Sequence, residues 1–245
     1  MKIIYEPRGR AREYAPLSCN LYSGCEHGCR YCYAPAVSRK SRDEFAADVK
    51  PRVDILRKLE ADLCECVDRA SIMPPVLLCF MCDAYTPSEA RFGVTREAIR
   101  AMKGAGLTVE VLTKNGPLAA RDFDLLTPQD AHAATLTFLD DDASRKWEPG
   151  AALPSDRIEA LKLAKRHGIR TWVSLEPVID PVQTLEIIKR THSFVDKFKV
   201  GKVNHMDISV DWRRFGLEVK CLLDDLGCDH YIKRDLLAFM GKGET

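Results

Sequence analysis

Short apolar runs alternate with longer amphipathic stretches along most of the chain. Residues 75–82 read PVLLCFMC, apolar throughout. A run this short and unbroken predicts a strand buried on both faces. Residues 95–104, TREAIRAMKG, space their apolar positions at helical intervals, with Thr95 placed to cap the helix and Gly106 to end it. The pair then repeats. Strands are predicted at 107–113, 133–139, 169–178, 198–203 and 230–233. Helices are predicted at 155–168, capped by Ser155 and stopped by Gly168, and at 181–191 and 217–226. Strand followed by helix, with continuous rather than alternating apolar strands, predicts an α/β chain whose parallel sheet is covered by helices. Right-handed crossovers wind such a sheet in one direction. Six or so units either curl into a complete or partial barrel or lie open as a doubly wound sheet, and the pattern does not choose. In both cases the chemistry gathers at the C-terminal strand ends. Asp83, Lys114, Glu176 and Asn204, the last followed by His205, are the polar candidates there.

Size and composition narrow the class. With 245 residues, 46% hydrophobic and 30% charged, the chain can bury a real core and is not disordered. It holds no internal repeat or low-complexity segment. No apolar run approaches the roughly 18 residues of a membrane helix, and the opening MKIIYEPRGRAREYAP lacks a signal peptide's apolar stretch. A cytoplasmic protein with no membrane partner is the expectation. Lys and Arg number 37 against 36 Asp and Glu, a formal net charge of +1. Net charge therefore gives no argument for nucleic acid. Two local clusters remain, Arg8, Arg10 and Arg12, and Arg39, Lys40 and Arg42. They read as solvated loops or as the footprint of a phosphate-bearing partner.

Ten cysteines are the unusual feature. In a reducing compartment they read as ligands, reactive thiols or core fillers. Residues 25–33 are CEHGCRYCY, so Cys25, Cys29 and Cys32 form a C-x3-C-x2-C triplet. Soft thiolates select zinc or iron–sulfur centres. Structural zinc takes four protein ligands, and Cys19 or His27 is available as the fourth. A cubane cluster on three thiolates instead keeps one iron open for a small molecule. Cys64 with Cys66, and Cys79 with Cys82, do not make a second centre. Helix positions two apart do not share a face, and strand positions three apart point to opposite sides. Cys221 and Cys228 read as helix-core and turn residues.

The triplet, with an aromatic residue (Tyr31) directly before its third cysteine, resembles the signature of the radical S-adenosylmethionine superfamily. NLYSGCEHGCRYCYA resembles the spore photoproduct lyase-like group within it. CDAYTPSEA, VLTKNGPLAARDFDLL, the stretch from TFLDDD to KRHGI, and YIKRDL resemble that group's later strands and turns. The likeness spans about residues 10–238 and implies a single domain, residues 1–245, folded as a partial (β/α)6 barrel of the TIM type.

The resemblance also implies chemistry. Cys25, Cys29 and Cys32 match the ligands of a four-iron four-sulfur cluster whose open iron binds S-adenosylmethionine. One-electron reduction then yields a 5′-deoxyadenosyl radical that abstracts hydrogen from substrate. An electron donor such as flavodoxin or ferredoxin is implied, with a nucleic acid or nucleotide as candidate substrate and a monomeric chain. Lys114 matches a lysine that meets the cofactor's carboxylate. Tyr31, Asp83 and Thr135, with Glu176 and Asn204, are expected near the cofactor. Tyr33 and Cys82 are the expected catalytic groups. Phe80 stands where the group has a hydrogen-donating cysteine; in a strand, Cys82 would share its face. Trp212, beside Arg213 and Arg214, reads as a base-stacking platform or as a cover for the core. The competing reading is a zinc-binding nucleic-acid-interaction protein without catalysis.

Overall fold

The computed structural model describes residues 2–204 and 206–241; His205 lies outside the described residues. The strands, in chain order, are β1 (Ile4–Tyr5), β2 (Leu17–Cys19), β3 (Tyr22–Ser23), β4 (Lys50–Pro51), β5 (Val76–Leu78), β6 (Val109–Thr113), β7 (Ala131–Thr135), β8 (Arg170–Val178), β9 (Lys197–Lys202) and β10 (Asp229–Ile232). The main sheet has eight strands in the order β1-β2-β5-β6-β7-β8-β9-β10. Only β1 pairs antiparallel; from β2 to β10 every neighbour is parallel. That order follows the chain, so each crossover returns beside the strand just left, as one-way winding requires. The sheet is the partial barrel, and β3 and β4 form a separate hairpin.

Helices Ile55–Cys66, Val94–Gly104, Pro154–Arg166, Pro181–Thr191 and Trp212–Asp225 cover the outer face. Alternation along each strand sorts its side chains. On β8, Val173 and Leu175 pack outward with Ile187, Phe198 and Val219. Trp172 points inward and packs with Leu77, Ala131 and Ala133. Each fully buried aliphatic side chain of this kind contributes roughly 1.5–3 kcal/mol. The inward series Trp172, Ser174, Glu176 carries polar chemistry to the strand's C-terminal end.

Several boundaries depart from the pattern-based reading. Residues 79–82 are not strand. Phe80 N and Met81 N both donate to Asn20 Oδ1 at 2.8 Å, which turns the chain away from the sheet after Leu78. The shared-face argument for Phe80 and Cys82 therefore lapses, as does the one that set Cys79 and Cys82 on opposite sides. Gly93, at φ +65°, precedes the helix that Thr95 was expected to cap. Thr95 is buried inside it, donating to Ala84 O at 2.5 Å. The next long helix begins at Pro154, with no side-chain cap from Ser155. The helix expected from 217 starts at Trp212, with Asp211 capping Arg214 N at 2.9 Å. Trp212 lies edge-on to Phe215 and covers the core. Cys221 is exposed, not core, and faces Asp225.

Candidate active site

A cavity of about 530 Å³ opens at the C-terminal ends of the parallel strands. Cys25, Cys29, Cys32, Tyr31, Tyr33, Cys82, Asp83, Lys114, Thr135, Glu176 and Asn204 all line it. The topology thus gathers every sequence-derived site residue into one place. The C-terminal ends of β5 to β9 and the turns that follow them supply six of them, and the loop after β3 supplies Cys25, Cys29, Cys32 and both tyrosines.

That loop is held by its backbone. Gly24, at φ +86°, leaves no room for a Cβ, which would lie 2.6 Å from Phe45 O. Cys25 N donates to Phe45 O at 3.1 Å and Arg30 N to Trp147 O at 2.9 Å. The Glu26 carboxylate accepts from Ser88 N at 2.6 Å and Ser88 Oγ at 2.9 Å. Gly150 N donates to His27 O at 3.0 Å, and a Cβ on Gly150 would lie 2.1 Å from Glu26 O. Three separate segments therefore fix the positions of the thiols.

Asp83 locks the same loop to the sheet. His27 Nε2 lies 3.0 Å from its Oδ2, and His27 Nδ1 lies 3.0 Å from Gly150 O. Lys114 N donates to Oδ2 at 2.8 Å, and Thr113 Oγ1 and Tyr85 N donate to Oδ1 at 2.6 and 2.8 Å. Burial opposes the charge, but His27, Thr113 and Lys114 N together hold the carboxyl well below the usual carboxylate range. With three internal donors and the His27 contact, Asp83 positions the loop and the β6 tip.

Beneath the thiols, Glu148 and Arg157 form a fully buried ion pair at 2.6 Å. Arg157 also donates to Ala152 O at 2.8 Å and Thr135 O at 3.0 Å, and the Tyr31 hydroxyl donates to Glu148. Lys114 Nζ stands 5.6 Å from the centre of the Tyr31 ring. Burial disfavours its charge, but Cys29 and Glu148 outweigh that and keep the ammonium protonated. Cys29 itself is pushed up to about 12 by burial, with Lys114 acting against the rise.

The far end of the cavity belongs to β8, β9 and β10. Glu176 Oε2 accepts from Tyr14 OH at 2.5 Å and from the Lys233 ammonium, and Oε1 accepts from Asn204 Nδ2 at 3.1 Å. Tyr14 OH also meets Ser174 Oγ at 2.9 Å, and Lys233 Nζ lies 3.9 Å from the centre of the Tyr14 ring. Gly201 makes this possible: a Cβ there would meet Lys233 Cδ at 2.8 Å and Glu176 Cδ at 2.9 Å. Burial, then Glu176, raises the Tyr14 hydroxyl well above its usual range. At the mouth, Tyr33 is 41% exposed and donates to Phe80 O at 3.0 Å.

The donor set suits a cluster better than a single ion. Among the described residues, no three His, Cys, Asp or Glu side chains converge on one metal-ion position. The candidate fourth zinc ligands are engaged elsewhere: Cys19 is sealed in the core, and His27 is bound to Asp83 and Gly150. Three thiols around a common cavity, beside a half-buried ammonium, can hold a cubane cluster and a small anionic ligand. Burial raises the Cys25 and Cys29 thiols, so binding such a group would displace their protons. Residues 19–195 match the model of the radical SAM superfamily.

The chain belongs to the radical SAM superfamily. Members of this enzyme superfamily use a four-iron four-sulfur cluster and S-adenosylmethionine, and these are the cofactors of the domain. The fold agrees. A spore photoproduct lyase variant with bound S-adenosylmethionine and dinucleoside spore photoproduct superposes with a TM-score of 0.71 at 11% identity, covering 93% of this chain and 78% of that one. SuiB of Streptococcus suis, bound to S-adenosylmethionine, gives 0.66 at 13% identity, covering 91% and 51%. An uncharacterised protein of Methanocaldococcus jannaschii is 27% identical over 182 residues, 72% of this chain and 66% of that protein. One from Mycobacterium tuberculosis is 27% identical over 166 residues, 65% and 48%. The chain thus spans between about half and two thirds of the length of these relatives. No helix among the described residues is long and apolar enough to cross a membrane.

Tyr14, Lys233, Glu148 and Arg157 escaped the sequence reading. Their partners lie far along the chain, and each alone resembles an ordinary surface or core residue. The Glu-Pro pair at 148–149 was the available signal for Glu148, since it sets a carboxylate beside the turn that ends a helix.

Proposed function

We propose that this chain binds a four-iron four-sulfur cluster through Cys25, Cys29 and Cys32 and uses it, with S-adenosylmethionine, for radical chemistry on a nucleic acid or nucleotide. The observation that carries this reading is the facing of all three thiols onto the cavity that also holds the half-buried Lys114 ammonium. When bound, the cluster and S-adenosylmethionine supply one-electron cleavage of the sulfonium and a 5′-deoxyadenosyl radical.

The chain's own groups divide the remaining work. Lys114 donates to the ligand's carboxylate, a charge-assisted contact made stronger by exclusion of water. Tyr31 and Thr135 form the wall beside it, and Asp83 keeps the cluster loop in register. Glu176 and Asn204 serve the opposite end, where ribose hydroxyls or substrate would lie. Cys82 holds an S–H group in the cavity and is the proposed hydrogen-atom donor to substrate, with Tyr33 at the mouth. The substrate class is supported by three arginines, Arg8, Arg10 and Arg42, on the cavity lining, where guanidinium groups suit phosphate. Reducing equivalents would come from a small donor such as flavodoxin or ferredoxin.

The test is anaerobic reconstitution with iron and sulfide, followed by dithionite and S-adenosylmethionine. The expected result is a brown protein that releases 5′-deoxyadenosine, with iron and nucleoside both lost in the Cys25→Ala, Cys29→Ala and Cys32→Ala variants. Unchanged iron content in those variants would overturn the reading.

A further inference from the structure

Lys233 is a buried cation with hydrogen-bonding capacity to spare. The residue is 4% exposed, yet it lines the cavity. Its ammonium carries three N–H donors. One goes to Glu176, and the structure records no other acceptor among the described residues. The face of Tyr14 covers another side of the group. Rotation is restricted by Gly201, whose backbone packs against the lysine stem and the Glu176 carboxyl. A buried donor left without an acceptor costs free energy comparable to a lost hydrogen bond. Such a group is therefore poised for an acceptor brought by a ligand.

The surroundings describe that acceptor. The rings of Tyr14 and Phe80, 5.9 Å apart and edge-to-face, both line the cavity; Lys233 sits over the Tyr14 face, and the Phe80 ring is the apolar surface beside it. The arm before β2 is anchored over β10. Its Glu13 accepts from Arg234 N at 2.9 Å and Tyr231 OH at 3.1 Å, and its Arg10 pairs with Asp235. Arg8 sits at the start of this arm, on the cavity lining, with no ion pair among the described residues. The thiols and Lys114 occupy the β5–β7 side, so the β8–β10 side is left for substrate.

We propose that Lys233 is a specificity-determining residue. It donates to a keto oxygen on a nucleobase seated against Phe80, beside Tyr14, while Arg8 of the arm takes the phosphate. Glu176 is the positioning residue that aims the ammonium. This inference rests on the nucleotide reading above and adds to it which end of the cavity reads the base.

The experiment uses the reconstituted holoenzyme with S-adenosylmethionine, under anaerobic conditions and at one fixed ionic strength, because phosphate binding is salt-dependent. Anisotropy is measured with fluorescein-labelled oligothymidylate and with an abasic oligomer of equal length. Wild type should bind oligothymidylate at least about fiftyfold more tightly than the abasic strand, as expected for a charged donor plus stacking. Lys233→Met should shrink that preference several-fold and leave abasic binding unchanged. Glu176→Gln should move it the same way by less. The wild-type comparison needs no variant, so a misfolded substitution cannot hide the answer. If wild type binds the two probes equally, the base contact is refuted and the nucleotide reading survives. Equal weakening of both probes in Lys233→Met would place the lysine on phosphate and overturn the proposal. Binding of neither probe by wild type would remove the nucleotide reading itself.

Discussion

His27 and Asp83 join the cysteine loop to the tip of β5 through a buried contact of 3.0 Å. The carboxylate is the common acceptor for a histidine lying between two of the cysteines and for the backbone at the start of the Lys114 turn. Asp83→Ala removes that acceptor from three donors and from the His27 contact at once. Each buried donor left without its acceptor costs about 1–3 kcal/mol. Denaturant unfolding should show a loss of that size, and reconstituted protein should retain less iron per chain. Asp83→Asn, which keeps an acceptor oxygen, should lose less on both measures.

Lys114→Met tests the other side of the same turn. The variant keeps the stem's packing and removes one charged donor. Affinity for S-adenosylmethionine should fall about tenfold or more, the scale of a charge-assisted hydrogen bond. Isothermal titration on the cluster-loaded protein reads this directly. The visible absorbance of the cluster should stay as in wild type.

Arg157 and Glu148 are both fully buried, and each is the other's counter-charge. Arg157→Met leaves Glu148 charged in the interior and should cost about 3–5 kcal/mol in denaturant unfolding. The double variant Arg157→Met with Glu148→Gln should be more stable than the sum of the singles, because no lone charge remains. Tyr31 donates to Glu148, so loss of the pair should also lower the iron retained by the loop.

His132 predicts an acid-side weakness. It is fully buried on β7, its ring 4.9 Å from that of Phe123, and among the described residues neither ring nitrogen has a hydrogen-bond partner. Burial lowers its pKa from 6.5 to about 4, only partly countered by Asp83. Above pH 6.5 the histidine is neutral in both folded and unfolded chains and adds no pH dependence. Below 6.5 the unfolded chain binds the proton first, so stability falls as pH drops toward 4. The full loss is about 3 kcal/mol. Unfolding curves measured between pH 7 and pH 4 should show this slope, and His132→Leu should flatten it.

What could be read from residues alone was whatever is local. Helix Pro181–Thr191 matched residue for residue, because Asp180 caps it and Pro181 fixes its first turn. The cysteine triplet and the polar strand tips were visible as spacing and as breaks in apolar runs. The segment 79–82 misled, because its residues are as apolar as the strand before them. What bends it is one side chain, Asn20, sixty positions earlier. The Tyr14–Glu176–Lys233 network was invisible for a related reason. Its members come from the arm, β8 and the turn after β10, and only closure of the sheet brings them together.

Position 201 carries a consequence for anyone redesigning the barrel. With hydrogen as its side chain, β9 lets an acid and an amine from neighbouring strands touch. A methyl group there would wedge them apart, leaving each to seek its own counter-ion from whatever entered the cavity. New selectivity is therefore better sought by diversifying Asn204 or Phe80 than by filling the gap in β9.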